Sequence, residues 1–208
     1  NSDQQNIRGF FFNIFYPQPV RIKYLQSPCI PLSLLSITFT PKNSCMAIRI
    51  FITGGTFDKE YNEITGQLYF NDTHMHDLLD MGRCKVPVEI RTLMMIDSLE
   101  MTDEDRDLIV HQCNNCDEDQ IVITHGTDTM AETAAILAQR VKNKTVVLTG
   151  AMIPIKFGSS DGLFNLGSAL AFAQTLPAGV YVAMNGRCFH ADNVRKNKQT
   201  GMFEEVRG

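Results

Sequence analysis

The chain has 208 residues, of which 44% are hydrophobic and 20% charged, and its formal net charge is −4. This composition is typical of a globular protein with one domain or a small pair of domains. The negative charge gives no reason to expect nucleic acid or an acidic membrane surface as a partner, and the apolar runs are too short and too interrupted to span a bilayer.

The cysteines and histidines do not predict a metal site or a disulfide framework. The six cysteines lack the spacing of a small disulfide-rich scaffold, and a chain of this length does not need disulfides. Cys113 and Cys116 form a single CxxC without a second pair, so we interpret them as reduced thiols. His74 and His76 would face different ways on a helix. We therefore expect no metal ion and a cytoplasmic location.

Residues 1–45 differ from the rest of the chain. They contain several prolines and show no period of 2 or 3.6. No short apolar core is followed by a small-residue cleavage site, so a signal peptide is not indicated. We interpret this segment as a poorly ordered extension, or as sequence upstream of a true start at Met46. An apolar anchor is the alternative, but the segment lacks the length and the basic flank of one. The folded domain is predicted over residues 46–208.

From Met46 onward, short segments rich in β-branched residues alternate with segments of helical length. The predicted strands are 47–53, 88–94, 120–124, 145–149 and 179–184, and the predicted helices are about 71–82, 102–113, 128–142 and 160–175. This alternation favours parallel strands with helical crossovers. The predicted fold class is α/β, a three-layer domain with a mainly parallel sheet flanked by helices. Ligands of such sheets bind beyond the carboxyl ends of the strands.

The segments that follow the predicted strands carry reactive side chains. They are Thr53-Gly54-Gly55-Thr56, Asp97-Ser98, His125-Gly126-Thr127-Asp128-Thr129, Gly150-Ala151-Met152, and a last segment that contains Lys196. The glycine turn after the first strand has neither of the common phosphate-binding patterns, and Asp58 and Glu60 would repel a phosphate, so no nucleotide site is predicted. Thr129 and Glu132 fit a helix capping box. Capping leaves His125, Gly126, Thr127 and Asp128 unexplained.

These motifs resemble those of the bacterial-type L-asparaginases. The segments TGGTFDKEY, DSLEMT, ITHGTDTMAETA, VVLTGAM, SSDGLFNL and VAMNGRCFHADNVRKNK occur in the order of that family over about 46–206. The resemblance covers the amino-terminal domain of the family and implies a short, single-domain member or a truncated one. Amide hydrolysis without a cofactor is the implied activity.

The resemblance implies catalytic roles for five residues. Thr56 would attack the side-chain amide to form an acyl-enzyme, with activation by Tyr61, which lies in a loop over 57–67 that could close as a lid. The spacing between Thr56 and Tyr61 is shorter than in the long-chain members. Thr127 would act with Asp128 and Lys196, since a buried lysine beside a hydroxyl can serve as a base. The sequence leaves open which threonine attacks first.

The resemblance also implies a set of substrate-binding residues. Ser98 would bind the α-carboxylate of the substrate with the help of backbone N–H groups, and Asp128 would bind the α-ammonium. The implied set is Gly55, Ser98, Gly126, Thr127 and Asp128. Asp161 and Gly162 are interpreted as a turn before a helix, with a structural role only.

The predicted reaction is hydrolysis of L-asparagine to L-aspartate and ammonia. A glutaminase or another small-amide hydrolase is an alternative, because one methylene group changes binding by only about 1–3 kcal/mol. A catalytically silent amino-acid-binding domain is a second alternative, although a binder would not need two threonines and a lysine. We expect a homodimer or a higher homo-oligomer that buries exposed helix faces.

Overall fold

The computed structural model describes residues 47–207, so the predictions for residues 1–45 lie outside the described part. The elements in chain order are β1 (Ile48–Gly54), β2 (Lys59–Asn62), β3 (Gln67–Phe70), α1 (Met75–Met81), β4 (Val88–Ile96), α2 (Asp103–Asn115), β5 (Gln120–Thr124), α3 (Met130–Arg140), β6 (Thr145–Thr149), α4 (Gly162–Thr175), β7 (Gly179–Met184), β8 (Arg187–His190), β9 (Arg195–Lys196) and β10 (Phe203–Glu204). Short 3-10 helices cover Thr56–Asp58 and Ile155–Phe157.

The central sheet has six strands in the order β4-β1-β5-β6-β7-β8. The first five are parallel, and β8 pairs antiparallel with β7. The chain passes from β1 to β4 on one side and then returns to β5 on the other side of β1. The order therefore reverses at β1, and the carboxyl ends of β1 and β5 border the crevice where ligands bind in such sheets. The predicted fold class is confirmed.

Helices cover both faces of the sheet, and alternate residues of each strand enter two separate cores. On β5, Ile121 and Ile123 pack with α2 and α3, whereas Val122 packs with α1 and α4. Each fully buried aliphatic side chain contributes about 1.5–3 kcal/mol relative to an exposed one. The two cores hold the strands rigidly, so the turns at the strand ends have fixed positions. No helix of residues 47–207 is long and apolar enough to cross a membrane.

Two local predictions were wrong. The helix predicted over 71–82 forms only over Met75–Met81, and part of the loop predicted over 57–67 is a hairpin strand. β2 and β3 pair antiparallel, with Tyr61 opposite Leu68. The turn is fixed because the Asn62 side chain accepts hydrogen bonds from the backbone N–H groups of Ile64 and Thr65, and Gly66 has a φ of 72°.

Candidate active site

Three turns meet at the carboxyl ends of β1, β4 and β5 with no space between them. Gly55 has a φ of 81°, and its N–H donates to the carbonyl of Ile96 at 2.9 Å. A Cβ atom on Gly55 would lie 2.4 Å from the nitrogen of Gly126, and a Cβ atom on Gly126 would lie 2.5 Å from Ser98 Oγ. Only glycine fits at both positions. The close approach brings the predicted residues Gly55, Gly126 and Ser98 into one row.

Lys196 connects two residues of the β5 turn. Its Nζ donates to Thr127 Oγ1 and to Asp128 Oδ1, both at 2.8 Å. The lysine side chain is only 13% exposed, and its backbone is held by pairing of β9 with β10. Thr127 is buried and Asp128 is partly exposed. The three predicted residues therefore form one hydrogen-bonded unit, although 68 residues separate Asp128 from Lys196 in the chain. The contact between Lys196 Nζ and Thr127 Oγ1 is a path for proton transfer between the amine and the hydroxyl.

Thr56 begins the 3-10 helix directly after Gly55 and is half-buried. Its hydroxyl makes no hydrogen bond to any other residue of the described range. β1 and β5 are parallel neighbours, so Thr56 and Thr127 lie at the same edge of the sheet. The site thus contains the Thr127 hydroxyl, which is hydrogen-bonded to the Lys196 amine, and the Thr56 hydroxyl, which has no hydrogen-bond partner in the described range.

Ser98 follows β4 and is 1% exposed. Its Oγ is buried and has no hydrogen-bond partner in the described part of the chain. A buried polar group without a partner costs about 1–3 kcal/mol. Ser98 Oγ is thus a buried, unsatisfied hydroxyl packed against Gly126 at the carboxyl ends of β4 and β5.

The capping box predicted for Thr129 and Glu132 was wrong. Thr129 precedes α3, but its side chain makes no capping hydrogen bond. The Thr129 hydroxyl instead donates to the carbonyl of Ser98 at 2.8 Å. The Glu132 side chain is 69% exposed and lies 3.7 Å from a guanidinium nitrogen of Arg106. A tertiary partner thus replaces the local cap and ties the β5 turn to the β4 turn.

His125 lies beneath the β5 turn and is fully buried. Its Nδ1 is 2.7 Å from the carbonyl of Gly126, and its Nε2 is 2.9 Å from Thr133 Oγ1. A carbonyl only accepts, so Nδ1 carries the proton and Nε2 accepts from Thr133. The Thr133 oxygen accepts in turn from Arg106 Nε at 3.2 Å. Burial lowers the pKa of the His125 imidazole to about 4, so it is neutral.

Sequence reasoning gave no role to His125, Thr133 or Arg106. The available signal was the position of His125 between a buried strand and a glycine. Its partners lie on α3 and α2, and only the packing of those helices reveals them. This network orients the peptide that carries Thr127.

Tyr61 is placed apart from this unit. It lies on β2, is 53% exposed, and makes no hydrogen bond to Thr56. With Glu60, Lys156 and Phe157 it lines a separate cavity of 410 Å³. The structure therefore does not bring the Tyr61 hydroxyl into contact with the threonines.

The β2–β3 hairpin is joined to the Ser98 turn by an ion pair that the sequence analysis did not predict. Lys59 Nζ donates to Asp97 Oδ2, and Asp97 Oδ1 accepts from the N–H of Leu99 at 3.0 Å. Burial raises the pKa of the Asp97 carboxyl, but the hydrogen bonds from Lys59 and Leu99 outweigh burial, and the net pKa is lowered. Lys59 thus fixes the residue next to Ser98.

The loop after β6 closes the remaining side of the site. Asp161 Oδ1 accepts from the N–H of Met152 at 2.9 Å, and Asn165 Nδ2 donates to the Gly150 carbonyl at 2.9 Å. A Cβ atom on Gly150 would lie 3.4 Å from Thr127 Cγ2. Asp161 therefore has a structural role in holding this loop beside Thr127. Among residues 47–207, no group of three His, Cys, Asp or Glu side chains could hold a metal ion.

Comparison with known proteins gives consistent matches. Residues 47–205 match the family model described as Asparaginase, N-terminal. An L-asparaginase of Thermococcus kodakarensis is 33% identical over 165 residues, which are 76% of this chain and 49% of that protein. One of the subunits of glutamyl-tRNA(Gln) amidotransferase from the same organism is 33% identical over 156 residues, 70% of this chain and 34% of that protein.

A solved structure agrees with these sequence matches. The crystal structure of a probable cytoplasmic L-asparaginase from Campylobacter jejuni superposes with a TM-score of 0.69 and 31% identity, over 77% of this chain and 53% of that chain. The chain thus spans about half the length, or less, of these relatives. The match of residues 47–205 and the shared fold show that the chain belongs to the asparaginase family through its amino-terminal domain.

Proposed function

We propose that this protein hydrolyses the side-chain amide of L-asparagine to L-aspartate and ammonia through a threonine nucleophile. The observation that carries the proposal is the unit in which Lys196 Nζ lies 2.8 Å from both the Thr127 hydroxyl and the Asp128 carboxylate. An amine that is hydrogen-bonded to a buried hydroxyl group can exchange a proton with it. Similarity to L-asparaginases supports asparagine as the substrate.

The substrate is held by two groups at the rim of the crevice. The unpartnered Ser98 hydroxyl binds the α-carboxylate, and the Asp128 carboxylate binds the α-ammonium. Asp128 can serve both the substrate and Lys196, because only its Oδ1 is engaged by the lysine. Fixing both ends of the amino acid leaves its side-chain amide between the two threonines, where orientation lowers the barrier.

The two threonine hydroxyls have different tasks. Thr56, whose hydroxyl is unengaged, attacks the amide carbon and forms an ester as ammonia leaves with the proton that the hydroxyl gave up. Water then hydrolyses the ester, and the unit of Thr127 and Lys196 takes a proton from that water.

The test compares two neighbouring lysines. Ammonia release from asparagine is measured for the wild type, for Lys196→Met and for Lys198→Met, which removes an exposed lysine two residues away. We expect Lys196→Met to lower kcat by a factor of a hundred or more, and Lys198→Met to retain wild-type turnover. Equal turnover in all three proteins would exclude Lys196 from the reaction.

A second candidate function is hydrolysis of another small amide, above all glutamine. Similarity to a glutaminase-asparaginase, 49% identical over 80 residues, favours it. The ratio of kcat/KM for asparagine and glutamine separates the two substrates. Binding of asparagine in calorimetry without release of ammonia would instead indicate the catalytically silent binding domain.

The location and the assembly follow as further parts of this proposal. Four cysteines of the described range are free, namely Cys84, Cys113, Cys116 and Cys188, which suits a reducing compartment. The related protein from Campylobacter jejuni is a probable cytoplasmic L-asparaginase. We therefore place the protein in the cytoplasm, as a homodimer or higher homo-oligomer.

A further inference from the structure

Among the residues that the structure describes, the central sheet ends at β4. Within residues 47–207, β4 pairs only with β1. The carbonyl of Pro87 accepts from the N–H of Ile48 at 2.8 Å, so the backbone groups at position 87 point towards β1. Backbone groups alternate in direction along a strand, and those of Val88, Ile90 and Thr92 therefore point away from β1. An edge strand of this kind is a template for pairing with another strand.

Two opposite charges flank the centre of this edge. Glu89 and Arg91 are both exposed and, being two residues apart, lie on the same face of the sheet. Neither makes an ion pair or a side-chain hydrogen bond in the described part of the chain, although the charge of Glu89 helps to raise the pKa of the neighbouring Arg49 guanidinium. Glu89 is the register partner of Arg49, whose guanidinium pairs with Glu118 at 2.7 Å. The charges of Glu118, Arg49 and Glu89 therefore alternate in sign across this face, and Glu89 lies on its outermost strand.

We propose that β4 pairs with β4 of a second copy of this chain, antiparallel and about a two-fold axis at Ile90. In this register Glu89 lies opposite the partner's Arg91, and Arg91 lies opposite the partner's Glu89. Each dimer gains two cross-strand ion pairs, and the two sheets become one continuous sheet. This pairing does not depend on the proposed reaction.

The backbone geometry agrees with this register. In this register Ile90 lies opposite the partner's Ile90, and Val88 lies opposite the partner's Thr92. These are the residues whose backbone N–H and C=O groups point away from β1. They become the hydrogen-bonded pairs of the new ladder. Glu89 and the partner's Arg91 then form a non-hydrogen-bonded pair, in which the Cα atoms approach to about 4.5 Å and the side chains are closest.

The charges exclude the neighbouring registers. A two-fold axis centred on Glu89 would place two glutamates directly opposite each other, and an axis centred on Arg91 would place two arginines opposite each other. Like charges in this position are destabilising. Only the axis at Ile90 pairs the opposite charges, so the edge specifies one arrangement.

The other face of β4 offers space for the partner strand. Val88 and Ile90 are half-buried there and line a groove of 470 Å³ together with Leu79, Val86 and the polar side chains of His76 and Asp80. In the proposed dimer the partner's Val88 and Ile90 continue the apolar layer of this groove. Burial of these side chains adds an apolar contribution to the ion pairs.

The experiment measures the mass of the full chain in solution by sedimentation over a range of concentrations. We expect a dimer for the wild type, and an increase of the dissociation constant by tenfold or more for Arg91→Glu and for Glu89→Arg, because each change creates two like-charge pairs per dimer (about 1.4 kcal/mol or more). The double variant E89R/R91E restores opposite charges and is expected to restore the dimer. Lys142→Glu, a charge reversal at an exposed site beyond α3, is the matched control and leaves the dimer intact.

A mixing experiment tests the pairing directly. Glu89→Arg and Arg91→Glu proteins are each expected to dimerise at least tenfold more weakly than the wild type. Their equimolar mixture is expected to form a heterodimer of wild-type affinity, because the two arginines of one strand then lie opposite the two glutamates of the other. A monomeric wild type, or a dimer that survives both single reversals, would overturn the proposal. A full chain that is monomeric while a chain starting at Met46 dimerises would show that residues 1–45 cover the edge instead, and would also overturn it. Ammonia release recorded in parallel is expected to be equal in all variants.

Discussion

At the scale of single residues, the Thr127 hydroxyl has one role that its neighbour does not share. It accepts from Lys196, and its methyl group lies beside Gly150. Thr127→Ala removes the hydroxyl and leaves Lys196 bound to Asp128, so we expect the free energy of unfolding to change by less than about 1 kcal/mol. Turnover should fall by a factor of hundreds or more, as is usual when a group is lost from the transition state. Thermal melting and ammonia release on the same samples check both expectations.

The neighbouring hydroxyl of Thr129 gives the contrasting prediction. It holds the carbonyl of Ser98, the proposed ligand of the α-carboxylate. Thr129→Ala should cost about 0.5–1.5 kcal/mol of stability and raise KM for asparagine while kcat is largely kept. Steady-state kinetics at saturating asparagine separates the two parameters. A fall in kcat as large as that of Thr127→Ala would contradict a positioning role for Thr129.

The buried network under the β5 turn gives a third prediction. Thr133→Val keeps the shape of the side chain but leaves His125 Nε2 without a donor and Arg106 Nε without an acceptor. Each buried unpaired group costs about 1–3 kcal/mol, so we expect a loss of about 2 kcal/mol or more in urea unfolding. Thr133→Ser keeps the hydroxyl and is the matched control. If both variants unfolded at the same urea concentration, the hydroxyl would not support His125.

At the scale of elements, the β2–β3 hairpin controls the Ser98 turn through one ion pair. Lys59→Met frees Asp97, which precedes Ser98 and also holds the Leu99 N–H. We expect KM for asparagine to rise about tenfold, or about 1.4 kcal/mol, with a smaller change in kcat, because the change affects binding rather than the reacting hydroxyls. Lys85→Met, which removes an exposed lysine near α1, is the control. An unchanged KM would show that the hairpin does not affect the turn.

The elements show which parts of the site the sequence could predict. Periodicity predicted the five parallel strands and therefore the edge at which Thr56, Ser98 and Thr127 meet, because parallel strands bring their carboxyl ends together. The helix-capping rule failed where a group distant in sequence competed for the hydroxyl of the expected cap residue. Thr129 fits a capping box by residue type, yet it donates to Ser98, whereas Thr102 and Asp105 form the capping box that begins α2.

The unpredicted parts depend on contacts that no local pattern contains. The hairpin followed from Asn62 and Gly66, which were visible as turn residues but lay in a segment without a clear strand period. The pairs of Lys59 with Asp97 and of His125 with Thr133 join separate elements. Their existence follows from packing, so only the folded structure reveals them.

At the scale of the whole molecule, burial of the neutral His125 imidazole makes the folded protein less stable in acid. The unfolded imidazole of His125 titrates near its ordinary pKa of 6.5, whereas burial keeps the folded pKa at about 4. Between about pH 4 and pH 6.5 the unfolded chain therefore binds one proton more than the folded protein does. Stability is therefore fully present above about pH 6.5 and falls towards pH 4 by up to about 1.4 kcal/mol per pH unit. The pKa of the buried Asp58 carboxyl is raised by burial, so this group binds its proton more readily in the folded protein and opposes the loss of stability in acid.

The pH dependence predicts a specific result for His125. Urea unfolding of the wild type at pH 7.0, 6.0 and 5.0 should show a progressive loss of stability, steepest below pH 6. His125→Gln keeps a side-chain donor and acceptor but cannot take up a proton. Its stability should be lower at pH 7, and its slope between pH 7 and 5 should be flatter than that of the wild type. His111→Gln, which alters an exposed histidine on α2, should keep the wild-type slope. A wild-type slope in His125→Gln would assign the acid sensitivity to other groups.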